Sequence, residues 1–161
     1  TGLGRASVHS YLPYTKIPYN LAELSANAER IRLYRKRRAA CMEFCDRIER
    51  TEMTKAGKEE ALWEVMSRLA GCMFFTSKGL KFTYKIHGGE MFVNRKSKSI
   101  TQATVFMAYW KAVELMKETG SVTSPKQLGT FGASYLYPVF ARIGVIRAVN
   151  DGSGTSQNRT W

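Results

Sequence analysis

KFTYKIHGGEMFVNRK, residues 81–96, departs from the helical periodicity on either side of it. Phe82, Tyr84 and Ile86 alternate with Lys81, Thr83 and Lys85, the period of two that half-buries a strand. Gly88-Gly89 supplies a turn where positive φ costs nothing, and Met91 to Val93 resume the apolar pattern beyond it. A β-hairpin over 80–95 is expected, which makes the fold α+β and mainly helical rather than all-helical.

Upstream of the hairpin, Leu62, Val65, Met66, Leu69 and Met73 recur at helical spacing and predict a helix over 58–73, with Gly57 interrupting before it. A longer helix is expected from Ala22 to Glu52, its apolar stripe formed by Ile31, Tyr34, Cys41, Cys45 and Ile48 with Met42 beside them. Downstream, Ser99 and Gln102 have capping-box spacing, and the helix they start should end at Thr119 with Gly120 beyond. Its interior, ATVFMAYWKAVELM, is apolar almost all round, so the 100–118 helix is expected at the centre of the core. Ser124-Pro125 starts a short helix. ASYLYPVFARIG (133–144) reads as another, its core face Leu136, Val139, Phe140 and Ile143, with Pro138 in its first turns or kinking it. This block loosely resembles half a winged helix, in which case Tyr135, Tyr137 and Arg142 would be exposed tips. VIRAV (145–149) reads as a short strand. The domain is thus expected over 22–149, preceded by a connector (15–21) and followed by a polar tail (150–161) expected to be mobile.

The 161 residues include 25 Lys+Arg against 13 Asp+Glu, a net charge of +12, while 44% hydrophobic residues suffice for a core. Such an excess favours a polyanionic partner, above all nucleic acid. Three cysteines, an odd number, do not suit a disulfide scaffold and suggest a reducing cytoplasm. No run reaches the roughly 18 apolar residues of a membrane span, and no leader-like segment precedes the first element. Catalytic readings are thin. Asp46 and Asp151 are the two aspartates, Glu90 stands alone on the hairpin, and His9 and His87 have no cysteine at zinc-ligand spacing. Cys41 and Cys45, on the apolar stripe, read as buried thiols. No enzymatic activity, metal or cofactor is expected.

Two basic stretches stand out. ERIRLYRKRR (29–38) places Arg30, Arg32, Arg35, Lys36, Arg37 and Arg38 within nine residues, a mutual repulsion that phosphates would relieve. The bland alternative is a solvated helix face, aided by Glu29, Glu43 and Asp46. The hairpin and its exit carry Lys78, Lys81, Lys85, Arg95, Lys96 and Lys98. A two-stranded ribbon so charged could lie along a phosphate backbone as a wing does, or its lysines could simply guard a sheet edge.

The opening residues TGLGRASVHSYL (1–12) have a glycine in a turn, an inward Leu3, and Val8 and Leu12 four apart as anchors. They resemble the second half of the helix-turn-helix of bacterial and phage transcription regulators and resolvase-like DNA binders. The resemblance implies that Arg5, Ala6, Ser7, His9 and Ser10 face the major groove, Arg5 near the helix start where base edges are read. The supporting helix of such a motif would lie upstream of Thr1, so residues 1–14 are expected to be its back half. The expectation is a sequence-specific, double-stranded-DNA-binding regulator, cytoplasmic and nucleoid-associated in a bacterium, with the 22–52 helix available for homodimerisation. Two alternatives compete with it. One is a DNA-processing or mobile-element protein with catalytic residues elsewhere; the other is a basic adaptor for an acidic protein.

Overall fold

The structure is a computed structural model that describes residues 21–147, with side-chain environments from residue 25 onward. The expected half helix-turn-helix (1–14), most of the connector and the tail lie outside the described residues, Arg5, Ser7, His9 and Ser10 among them. The chain divides into two units, Thr1–Leu33 and Tyr34–Trp161. The first is described only along its helix, where residues 25–33 are exposed on every side.

The fold is α+β and mainly helical. Helix α1 spans Leu21–Arg50, close to the expected bounds. Within the second unit its buried arc is Ala40, Cys41 and Phe44, with Cys45 and Ile48 half-buried. Two stripe residues lie elsewhere: Met42 is 61% exposed and Ile31 also faces solvent. The inner arc runs through Arg37 and Ala40, which a search for large apolar side chains passes over.

Helix α2 spans Lys55–Arg68, three residues earlier than expected at its start. Gly57 does not interrupt it. Thr54 is the N-cap, and its Oγ1 accepts from the Gly57 amide at 3.1 Å, placing that glycine inside the first turn. Ala61, Leu62, Val65 and Met66 are buried, and Leu69 follows as the C-cap; Met73, beyond the helix, is exposed.

The expected single hairpin resolves into two small antiparallel sheets. β1 (Phe74–Phe75) pairs with β2 (Lys81–Phe82), while β3 (Tyr84–His87), β4 (Glu90–Val93) and β5 (Ile100–Thr101) form the other in that order. The chain passes from one sheet to the other at Thr83. Its amide donates to Asn94 Oδ1 at 3.0 Å and its carbonyl accepts from the Asn94 amide at 3.1 Å, so the ladder is interrupted by a side chain. The alternation survives the break: Phe82 and Tyr84 are buried, Lys81 and Lys85 exposed. Gly88 and Gly89, at φ 57° and 79°, make the two-residue turn between the paired His87 and Glu90, where two successive positive φ values are needed.

Helix α3 spans Gln102–Thr119 and stops at left-handed Gly120, as the sequence indicates. Its cap is Thr101, whose Oγ1 accepts from the Thr104 amide; Ser99 instead donates to Glu90 at 3.0 Å. Nor is α3 wrapped on all sides. Val105, Ala108, Tyr109 and Ala112 are buried, but Met107 is 66% exposed. A 3-10 turn, Pro125–Leu128, follows, with Gln127 Oε1 accepting from the Ser124 amide at 3.2 Å. Helix α4, Ala133–Ile143, contains Pro138 and buries Leu136, Val139, Phe140 and Ile143 as expected. Tyr137 is no exposed tip: it is buried and its hydroxyl donates to the Val122 carbonyl at 2.9 Å. Arg142 is half-buried, its guanidinium 3.9 Å from the centre of the Phe74 ring. Val145–Arg147 bends after left-handed Gly144 and forms no strand.

Candidate nucleic-acid interface

The basic stretch of α1 divides by direction. In the first unit Arg30 and Arg32 are exposed, and Arg32 lies 3.9 Å from Glu29. In the second unit Arg35, Lys36 and Arg38 are exposed, and none has a carboxylate within ion-pair distance among the described residues. Arg37 turns inward: its Nη2 donates to the Ala70 carbonyl at 3.0 Å, and its Nε is buried. Helical geometry requires this split, because positions 37, 40, 41 and 44 share one face and 35, 36 and 38 fall outside it.

Further along α1 the positive charges are neutralised. Arg47 lies 3.5 Å from Glu64, Arg50 3.8 Å from Asp46, and Arg68 of α2 bridges Glu64 at 2.7 Å and Glu43 at 3.9 Å. These pairs are largely exposed and contribute little stability each, but they cancel the field at that end. Among the described residues of the second unit, the uncompensated charge on α1 is left at Arg35, Lys36 and Arg38.

The second basic set does not form one ribbon. Lys81 and Lys85 belong to different sheets, so a continuous lysine-faced wing is not built. Lys85 projects beside Phe92, its cross-strand partner and itself exposed. Arg95 is exposed in the turn after β4. Lys96 and Lys98 instead converge on α4: Lys96 Nζ lies 3.8 Å and Lys98 Nζ 5.2 Å from the centre of the Phe131 ring, and Lys96 is 5.7 Å from that of Tyr135.

Phe131 and Tyr135 border a groove of about 540 Å³ between the 76–80 turn and the start of α4, which Lys78 and Lys96 also line. Sequence reading passed over Phe131. Its signal was GTFGAS (129–134), an aromatic bracketed by glycines. Gly129 and Gly132 both adopt positive φ, so the ring is lifted on a turn instead of being folded into a helix face. Phe131 accordingly remains 42% exposed.

The three thiols are withdrawn from this surface. Cys41 and Cys72 are buried and Cys45 half-buried, donating to the Ile143 carbonyl at 3.2 Å. Burial pushes the Cys41 thiol up to about 12, with its neighbours Cys45 and Cys72 adding to the rise. Cys45 and Cys72 are likewise raised, chiefly by burial. No group of three or more His, Cys, Asp or Glu side chains is placed to hold a metal among the described residues, and no described helix is long and apolar enough to cross a membrane. Comparison with protein families, curated proteins and solved structures finds nothing that matches this chain.

Proposed function

We propose that this chain is a non-catalytic, double-stranded-DNA-binding protein that contacts the phosphate backbone through the outward arc of α1. One observation carries the reading: Arg35, Lys36 and Arg38 are exposed and uncompensated among the described residues, while Arg37 of the same helix turns inward and Arg47 and Arg50 are paired with carboxylates. Guanidinium groups match phosphate oxygens bidentately, and each phosphate contact displaces condensed counterions. Arg30 and Arg32 extend the series in the sequence. A regulatory role with base reading by Arg5, Ser7, His9 and Ser10 is the form of this function that the opening residues favour, in a bacterial, nucleoid-associated setting and with a homodimer matching a two-fold site.

Fluorescence anisotropy of the full chain with a labelled random duplex tests it. Affinity should fall steeply between 50 and 200 mM salt, as it does for proteins making several phosphate contacts. Neutralising Arg35, Lys36 and Arg38 together to glutamine should flatten the slope of log affinity against log salt by about 2–3. Absence of duplex binding at low salt, or an unaltered slope in the triple variant, sinks the reading. The Arg5→Ala variant should relax sequence preference, at roughly 1–3 kcal/mol for a lost bidentate contact, while leaving random-duplex affinity in place. Equal stringency in site selection would show that Arg5 does not read bases.

A further inference from the structure

The groove beside α4 holds chemistry that contact with a duplex backbone does not use. Among the described residues its lining contains no carboxylate; Lys78 and Lys96 give it positive charge, Ser77 and Ser134 give it hydroxyls, and Phe131 and Tyr135 give it rings. Lys98 adds a second ammonium beside Phe131. Two cations beside one half-exposed phenyl ring leave charge near charge and apolar surface in water. Lys96 Nζ rests over the phenyl ring at 3.8 Å; a ligand that is both flat and anionic draws that ammonium onto its phosphate and lays its own ring on the phenyl face the ammonium leaves. The first turn of α4 borders the groove through Gly132, Ala133 and Ser134; the Ala133 amide is taken by the Thr130 carbonyl and the Tyr135 amide by that of Gly132, which leaves the Ser134 amide, unpartnered among the described residues, to face an anion. A volume of about 540 Å³ suits a nucleotide-sized guest.

Base faces in a duplex are covered by their neighbours, so an unpaired base is the one that can reach Phe131. The geometry points to this groove as a binding site for an unpaired nucleotide of single-stranded DNA, with its base stacked on Phe131 and its phosphate held by Lys96 and Lys98. The inference rests on the DNA-binding reading above but assigns the two strand states to different surfaces: duplex to α1, single strand to the α4 groove.

The test compares a labelled twelve-nucleotide oligothymidylate with a labelled duplex of equal length, by anisotropy with the full chain at one salt concentration. Phe131→Ala should weaken oligothymidylate binding about tenfold, as loss of a stacked base does, and shift duplex binding less than twofold. Lys96→Gln should weaken the single strand in the same direction, and Phe131→Trp should restore it. Phe131 and Lys96 lie at the surface, and an unchanged thermal midpoint would confirm that the fold is intact. The Phe131 effect should persist in the triple α1 variant. Unchanged oligothymidylate binding by Phe131→Ala, or an equal loss for duplex and single strand, overturns the assignment. Thymidine monophosphate binding as tightly as the oligomer would make the site one for free nucleotides, and tighter binding of oligouridylate would remove DNA as the ligand; both overturn it as well. Loss of duplex binding by the wild type with the single strand still bound would end the α1 reading and leave this one standing.

Discussion

Thr130 illustrates what one polar atom costs. It sits between the 3-10 turn and α4, and its Oγ1 is buried without a hydrogen-bond partner among the described residues. A buried hydroxyl in that state forfeits its hydration and gains nothing in exchange. Thr130→Val keeps the branched shape and removes the polar atom, so stability should rise by about 1 kcal/mol, read as a higher urea midpoint with unchanged slope. A lower midpoint would mean that the hydroxyl has a partner after all. Residue identity alone gave no hint of this, because threonine is ordinary in a turn. Phe82 and Tyr84 were the opposite case: alternation announced their burial and both are buried, while Ile86, the third of that series, is half-buried. Ser99 and Thr101 show an intermediate one. Both could cap the following helix by spacing, and only the carboxylate of Glu90, which takes the Ser99 hydroxyl, leaves the cap to Thr101.

At the scale of elements, α1 carries two kinds of arginine within two positions. Arg37 bonds to the Ala70 carbonyl next to Gly71, whereas Arg38 is exposed. Arg37→Ala should therefore destabilise the fold by roughly 1–3 kcal/mol through the lost charged hydrogen bond and the orphaned carbonyl, with a smaller effect on duplex affinity. Arg38→Ala should change stability by no more than about 0.5 kcal/mol and act on affinity. Chemical denaturation of both variants beside the binding curves separates the roles, and an interchange of the two effects would reverse the assignment. The helix was legible as a helix, but its inner arc was not. The arc passes through an arginine and an alanine, and apolar periodicity cannot register either. The paired sheets were half legible for a related reason: alternation fixes which side chains point inward, but not whether Phe82 and Tyr84 share a ladder. The groove was less legible still, because Lys96, Phe131 and Tyr135 meet only when β4 and α4 are brought together.

For the molecule as a whole, burial of Cys41, Cys72 and Tyr84 about the half-buried Arg142 sets an alkaline limit. Desolvation raises the Cys41 thiol from 9.0 to about 12 and the Tyr84 hydroxyl well above its ordinary 10.0. The folded state therefore holds protons that the unfolded chain releases earlier. The contribution to stability is full below about pH 9, where both states are protonated, and is lost as pH rises toward 12. The thermal midpoint should fall progressively across that interval, and Cys41→Ala should make the decline shallower. A midpoint falling equally steeply in the variant would clear this thiol of the effect. Neutral or acidic solution should show none of this dependence.

Gly132 ties that interior to the outer surface. A side-chain carbon there would run into the Ile100 side chain, and φ of 76° already disfavours one. The same residue borders the α4 groove, so one backbone position is at once the roof of the packed interior and the floor of the cleft. The depth of the cleft is thereby fixed by the volume of an isoleucine in β5. Mutational drift can retune what the cleft accepts along its walls, at Phe131, Ser134 or Lys96, but not beneath it, and a variant library randomised at position 132 should return glycine whether it is selected for ligand or merely for solubility.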